Sequence, residues 1–224
     1  MRAAAVVFDP FGTLFDLEPL RERLLALGLP SRELEVWLAR TARDGIALCA
    51  SGTFKPFQEI ASSALLTLIA EQGKRPQHEQ VAEVVSGVYA LAAFKDAKVA
   101  LDQLKVANTR RVLLTLEAKE GAQTLLARAG MEGLVEEVES IDQTRRWMPF
   151  PEPYRHVALS LGLQPQQIAF VSTAPWDVQG ARAAGMYGVL LQRKGGHHQP
   201  AMPPPDLTIA SLAELAQVAG TIDP

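Results

Sequence analysis

The sequence predicts an α/β protein, a doubly wound parallel sheet with an inserted helical domain, and three observations carry that reading. The strand-like runs 3–8, 111–115, 134–138, 168–172, 188–192 and 207–210 are short, largely apolar and rich in β-branched residues, and none alternates cleanly with polar ones. Strands that do not alternate with polar residues are covered on both faces, as in a parallel sheet. Between them, the helical patterns 118–129, 151–161 and 176–184 each stop before a glycine (Gly130, Gly162, Gly185), the residue that closes a helix in the left-handed conformation. Pro151, with Glu152 beside it, suits a first helical turn. Strand, helix, glycine, strand, repeated, is the signature of a doubly wound fold.

The third observation is a stretch that breaks this rhythm. Residues 17–93 contain no comparable strand run and read as helices over 18–27, 31–48, 57–71 and 77–92. The breaks are Gly28-Leu29-Pro30, Ser51-Gly52-Thr53 and Gly73-Lys74-Arg75-Pro76, all ordinary turn chemistry. The division expected is therefore an α/β domain from 1–16 and 94–224, with a helical domain over 17–93. Near the end, Gly195-Gly196-His197-His198-Gln199-Pro200 and Pro203-Pro204-Pro205 can continue neither element and read as a loop.

Composition narrows the function classes. The 224 residues are 48% hydrophobic and 21% charged, enough for a real core. A net charge of −3 gives no attraction to nucleic acid or to an anionic membrane. No uncharged apolar stretch approaches the ~18 residues of a membrane span, and Asp9 cuts off the N-terminal apolar run before it could form a signal segment. The single cysteine, Cys49, makes neither an internal disulfide nor a thiolate zinc site, and a packed core thiol is its plain reading. A reduced, cytoplasmic protein with a small-molecule substrate is expected.

Ligands of an open parallel sheet bind beyond the carboxyl ends of its strands. The loop after each strand is therefore where chemistry would be placed. After the first comes Asp9-Pro10-Phe11-Gly12-Thr13-Leu14-Phe15-Asp16; after the second, Thr115-Leu116-Glu117. Past the third lies Arg145-Arg146-Trp147-Met148-Pro149-Phe150-Pro151, and after the fourth Ser172-Thr173-Ala174-Pro175-Trp176-Asp177. These loops should converge on one crevice, with Asp9 facing Asp177. Asp177 also has a structural reading, as an acid in the first turn of a helix. His197 and His198 are adjacent residues of a Gly/Pro loop that point apart rather than form a metal pair. His156 reads as a surface or half-buried residue of a helix. Trp37, Phe54, Phe57 and Trp176 read as packing, because no basic patch accompanies them.

The run from Asp9 to Asp16 resembles motif I of the haloacid dehalogenase superfamily. Phe11 is similar to the L-2-haloacid dehalogenase branch, where the superfamily's phosphatases carry a second aspartate. The run from Phe170 to Met186 resembles that branch's motif IV, and the helical insertion matches the family's cap domain. The resemblance covers about 3–193. It implies a Rossmann-like core and a metal-independent hydrolase. Asp9 would be the nucleophile, forming an ester on a small organic acid such as a 2-substituted carboxylic acid. Thr13, Thr115, Ser172 and Asp177 match supporting positions of motifs I, II and IV, and members of the branch often dimerise. No cofactor is expected. Mg²⁺ wants octahedral oxygen ligands, and Phe11 and Thr173 occupy positions where the phosphatases have ligands.

Several matched positions depart from the branch. The motif II asparagine falls on Leu116, the motif III lysine on Met148, the motif IV asparagine on Ala174, and a cap arginine on Leu38 beside Trp37. With Phe11 and Trp176, these make the expected substrate pocket unusually apolar. Without the lysine, desolvation becomes the main influence on Asp9 and raises its pKa. Loss of one electrostatic stabiliser commonly lowers a rate by ~10²–10³. Arg145 and Arg146, a few residues upstream of Met148, are the candidate substitutes for the lysine; their plain reading is a solvated loop. The departures leave a second class open, a catalytically silent relative that keeps the fold for binding.

Overall fold

The computed structural model describes residues 3–75, 77–193 and 198–215. Among these, β1 (Ala5–Phe8), β2 (Arg110–Thr115), β3 (Glu137–Ser140), β4 (Ile168–Ser172), β5 (Tyr187–Leu191) and β6 (Leu207–Ile209) form one sheet in the order β3-β2-β1-β4-β5-β6. Every neighbouring pair is parallel. The chain moves outward from β1 through β2 to β3, then returns to the other side of β1 for β4. β1 and β4 therefore flank the point where strand order reverses, the place a parallel sheet leaves open for ligands. β1, β4 and most of β2 and β5 are buried, which is why their sequences are apolar without alternation.

The inserted segment is helical as expected: α1 (Pro19–Ala26), α2 (Glu33–Ala50), α3 (Phe57–Glu71) and α4 (His78–Ser86). α2 packs along α3, and Trp37 in α2 donates its indole N–H to the Ala61 carbonyl of α3 at 2.8 Å. The helix expected over 77–92 ends at Ser86 and tightens into a 3₁₀ turn, Gly87–Ala90, because glycine is a weak helix former. α5 (Lys95–Val106) then leads back to the sheet, burying Ala97, Ala100, Leu101 and Leu104 at helical spacing. α6 (Lys119–Arg128), α7 (Ile141–Thr144), α8 (Pro151–Leu161) and α9 (Pro175–Ala183) complete the set around the sheet. The stops at Gly130, Gly162 and Gly185 all have positive φ.

One strand lies elsewhere than expected. Within the expected run 134–138, pairing begins only at Glu137, opposite Val112. Leu134 instead closes a turn onto Met131, and the guanidinium of Arg111 reaches the Leu134 carbonyl at 2.8 Å. The strand itself runs on through Glu139 and Ser140, both buried. No helix among the described residues is long and apolar enough to cross a membrane.

Candidate active site

Asp9 leaves the end of β1 directly opposite Ser172, the last residue of β4, since Phe8 pairs with Val171. Its amide donates to the Val171 carbonyl at 3.1 Å, extending the ladder by one residue. The Ser172 hydroxyl donates to Asp9 Oδ2 at 3.1 Å and accepts from the Ala174 amide at 3.0 Å. The Phe11 amide approaches Asp9 Oδ1 at 3.4 Å. The carboxyl is thus oriented by two donors while only 5% exposed. Burial nevertheless outweighs both donors and pushes its pKa up to about 7.

Asp177 is also buried, in the first turn of α9. Its pKa is raised well above the ordinary value, first by burial and then by the charge of Asp9. Tyr154, whose hydroxyl donates to the Asp177 carbonyl at 2.9 Å, lies in the field of both carboxyls. The structure thus brings Asp9, Ser172 and Asp177 together. No ion pair joins either aspartate to a cation among the described residues.

The loop after Asp9 turns on itself, with Leu14 and Phe15 donating to the Pro10 carbonyl. Gly12 sits at φ +75°, and a Cβ there would approach Thr173 Oγ1 at 3.0 Å, so glycine is required on both counts. Thr13 is fully buried and accepts from the Thr173 amide at 3.1 Å, tying this loop to the one after β4. A residue not singled out from sequence, Arg193, secures it from the other side. Its guanidinium donates to the Thr13 carbonyl at 2.9 Å, pairs with Asp96 at 2.8 Å and lies 3.8 Å from the Phe94 ring centre. Arg193 comes just after β5, and the end of that strand was the one signal that could have found it.

Neither of the arginines that could have replaced the lysine pairs with Asp9, and their plain reading as loop residues stands nearer the structure. Arg146 donates to the Cys49 carbonyl at 2.9 Å and lies beside Glu152, while Arg145 stacks 5.1 Å from the Phe54 ring centre. The reason is packing: Trp147 donates its indole N–H to the Lys55 carbonyl, its amide meets Cys49 Sγ, and its ring presses on Gly45. That anchor commits the loop to the helical segment. It leaves Met148, 2% exposed and joined to Pro149 by a cis bond, as the residue turned inward. Cys49 is a packed thiol, as expected.

Thr115, at the end of β2, spends its hydroxyl on its own chain, accepting from the Glu117 amide at 3.0 Å. Leu116 is half-buried against the core. Glu117 is fully buried and was not singled out from sequence. It accepts from the Tyr89 hydroxyl at 2.7 Å and from the Gln58 amide at 3.2 Å, joining the helical segment to the sheet. Burial raises its pKa too.

Asp9 and Asp177 are the two carboxyls the site brings together, and the side chain of Phe11 adds only carbon, stacked 5.8 Å from Phe57. Among the described residues no cluster of three or more metal-ligating side chains occurs. His197 lies outside the described residues, while His198 lines a small surface depression with Pro203 and Pro205. His156 is partly exposed and pairs with Glu139 at 3.3 Å.

A cleft of about 770 Å³ opens between the helical segment and the sheet, beside Gly12 and Thr173. Leu17, Leu38, Phe94 and Trp176 supply its apolar surface. Trp37 and Phe57 are buried packing as expected, but Trp176 is 39% exposed and faces this cleft. Asp9 itself is not among the residues that line it.

A protein-family model for haloacid dehalogenase-like hydrolases matches residues 3–185. The chain is 29% identical over 184 residues to an (S)-2-haloacid dehalogenase of Xanthobacter autotrophicus, covering 81% of this chain and 72% of that protein. It is 30% identical over 203 residues to a phosphatase of Mycobacterium tuberculosis, covering 87% and 90%. Among solved structures, an L-2-haloacid dehalogenase from Xanthobacter autotrophicus superposes with a TM-score of 0.90 at 23% identity, over 98% of this chain and 99% of that one.

Proposed function

The chain belongs to the haloacid dehalogenase-like hydrolases, and we propose that within them it is a metal-independent hydrolase using Asp9 as its nucleophile. The observation that carries this reading is the orientation of the Asp9 carboxyl by Ser172 and Phe11 at the switch point of the sheet, with Asp177 beside it.

The chemistry is displacement at carbon. A carboxylate oxygen of Asp9 attacks the carbon bearing a leaving group, the carbon–halogen bond breaks, and the halide departs with the bonding electrons. Water then attacks the carbonyl carbon of the resulting Asp9 ester. Asp177, when ionised, accepts a proton from that water, and collapse releases the alcohol and restores the Asp9 carboxyl. The net change is R–X plus water to R–OH plus HX. Ser172 and the Phe11 amide aim the carboxyl; Thr13, held against Thr173, fixes the loop that carries it. Residues 17–93 act as the cap over this site, screening it from bulk water.

Both comparisons and donor chemistry bear on the choice between relatives. A dehalogenase and a phosphatase are comparably similar to the chain. The carbon side chain of Phe11, where the superfamily's phosphatases carry a second aspartate, favours the first chemistry over Mg²⁺-assisted phosphoryl transfer. Met148, Leu116 and Ala174 lower the rate expected, because charge developing on the leaving group meets few donors.

The test is halide release from 2-chloropropionate, its amide and a chloroalkylamine, each beside Asp9→Asn. Release that disappears in the variant supports the reading. Absence of release from all three would sink it and leave a protein that uses this fold for binding.

A further inference from the structure

Arg193 follows β5, and β4 lies between that strand and β1. The chain beside it is fixed, since the Gln192 amide donates to the Ile209 carbonyl of β6 at 2.8 Å. From there its guanidinium reaches the loop after β1. Nη2 donates to the Thr13 carbonyl at 2.9 Å and to Asp96 Oδ1 at 2.8 Å, and Nη1 donates to Asp96 Oδ2 at 3.2 Å. The fork meets both carboxylate oxygens, a pairing that a single ammonium does not reproduce. Asp96 is itself held, because Oδ2 also accepts from the Ser211 hydroxyl and the Leu212 amide, each at 3.0 Å. Residues 13–16 lead into the helical insertion and 92–96 lead out of it. The two runs are joined. The Phe94 amide donates to the Leu14 carbonyl and the Asp16 amide to the Ala92 carbonyl, each at 2.9 Å, and Phe15 bridges Ala93. The Phe94 ring centre lies 3.8 Å from the guanidinium, so Arg193 touches both runs at once. Thr13, four residues after Asp9, is held by its hydroxyl on Thr173 and by its carbonyl on Arg193.

We propose that Arg193 is a positioning residue for Asp9, clamping the loop that carries the carboxyl onto the roots of the insertion so that the carboxyl stays aimed and dry. It acts through Thr13 rather than on the substrate. The kinetic consequence rests on the reading of Asp9 as nucleophile. The second consequence, how dry Asp9 stays, is readable without turnover. Two influences of an arginine on a carboxyl have opposite signs. A cation acting through space favours the carboxylate and lowers its pKa, whereas a clamp that excludes water disfavours the carboxylate and raises it.

The experiment follows the Asp9 titration by carbon-13 labelling of aspartate in the full chain. It compares the unaltered protein with Arg193→Met, Arg193→Lys and, as control, Arg182→Met, which breaks another partly exposed ion pair, that with Asp206. In Arg193→Met the midpoint should fall from about 7 by roughly one pH unit or more, as water enters. Arg193→Lys keeps the charge and one point of contact, and should fall between the two. Arg182→Met should leave the midpoint in place. Where halide is released, Arg193→Met should lower kcat by ~10–100-fold with KM changed less than ~3-fold, the loss expected of a nucleophile misplaced by about 1 Å. A midpoint that rises or stays in Arg193→Met overturns the proposal, as does an equal fall in the control or an unchanged kcat. Should Arg193→Met fail to fold, Arg193→Lys decides by the same sign. A chain that releases no halide defeats the nucleophile reading and leaves the titration to decide this inference. Halide release with an unmoved titration defeats this inference alone.

Discussion

Asp9 and Asp177 are buried together at the switch point of the sheet, and the charge of Asp9 helps hold Asp177 in its protonated form. Two carboxyls in one dry site share protons, so they titrate as a pair. The branch this chain resembles has a lysine at the position of Met148; here a thioether is buried instead.

The first prediction concerns rate against pH. Asp9 must be ionised to attack, and burial holds its pKa near 7. Activity should therefore rise as pH increases through about 7, following one ionisation. Carbon-13 labelling of aspartate, with Asp9→Asn for assignment, reads the same titration directly. Asp177 stays protonated while Asp9 ionises, so Asp177→Asn should leave the Asp9 midpoint in place. A midpoint near the ordinary carboxylate value would show that a cation reaches the site.

Stability should carry the opposite sign. Asp9 has a higher pKa folded than unfolded, so the folded state binds the proton more tightly. The resulting stabilisation is complete below the ordinary value of 3.8 and lost as pH rises through about 7. A rise of that size corresponds to about 4 kcal/mol as an upper bound. Asp9→Asn, neutral at every pH, should raise the melting temperature by several degrees at pH 8 and by much less at pH 4. Equal effects at the two pH values would contradict the assignment.

Tyr89 and Glu117 give a prediction about the seam between helices and sheet. Tyr89→Phe removes the 2.7 Å donor from a buried carboxyl and should destabilise the fold by about 1–3 kcal/mol. Glu117→Gln can still meet Tyr89 and should be milder. Hydrogen exchange in α3, which carries Gln58, should accelerate in Tyr89→Phe before exchange in β1 and β4 does.

Gly180 supports the Met148 loop from beneath. A Cβ at that position would lie 2.6 Å from both the carbonyl oxygen and Cβ of Pro149. Backbone cannot yield as a side chain can, so Gly180→Ala should lower stability by about 1–3 kcal/mol, measured by denaturant melts. Gly133→Ala, where a Cβ meets nothing within 4 Å, is the control.

The sheet was legible because parallel strands buried on both faces are written as apolar runs, and because each helix before a glycine obeyed that stop. The same rule misplaced β3, whose polar residues Glu137 and Glu139 pair while the apolar Leu134 beside them only packs. α5 escaped notice although Ala97, Ala100, Leu101 and Leu104 repeat at helical spacing; two of the four are alanines, whose periodicity is faint. In the site, Thr13 and Ser172 were named through the resemblance to motifs I and IV, while Asp9 and Asp177 were also expected to face one another across the loops that follow β1 and β4. Arg145 and Arg146 could not be placed from their spacing, since Trp147 between them and Met148 decides where the loop goes. The Gln58–Tyr89–Glu117 contact joins residues far apart in the chain, and nothing local announces it.

The most direct test of the account is the fate of the Asp9 oxygens during turnover in ¹⁸O-labelled water. With whichever substrate releases halide, the peptide bearing Asp9 should gain one heavy oxygen, and the Asp9→Asn protein should gain none. Product carrying the heavy oxygen while that peptide stays light would mean that water attacks the substrate itself, and Asp9 would not be the nucleophile.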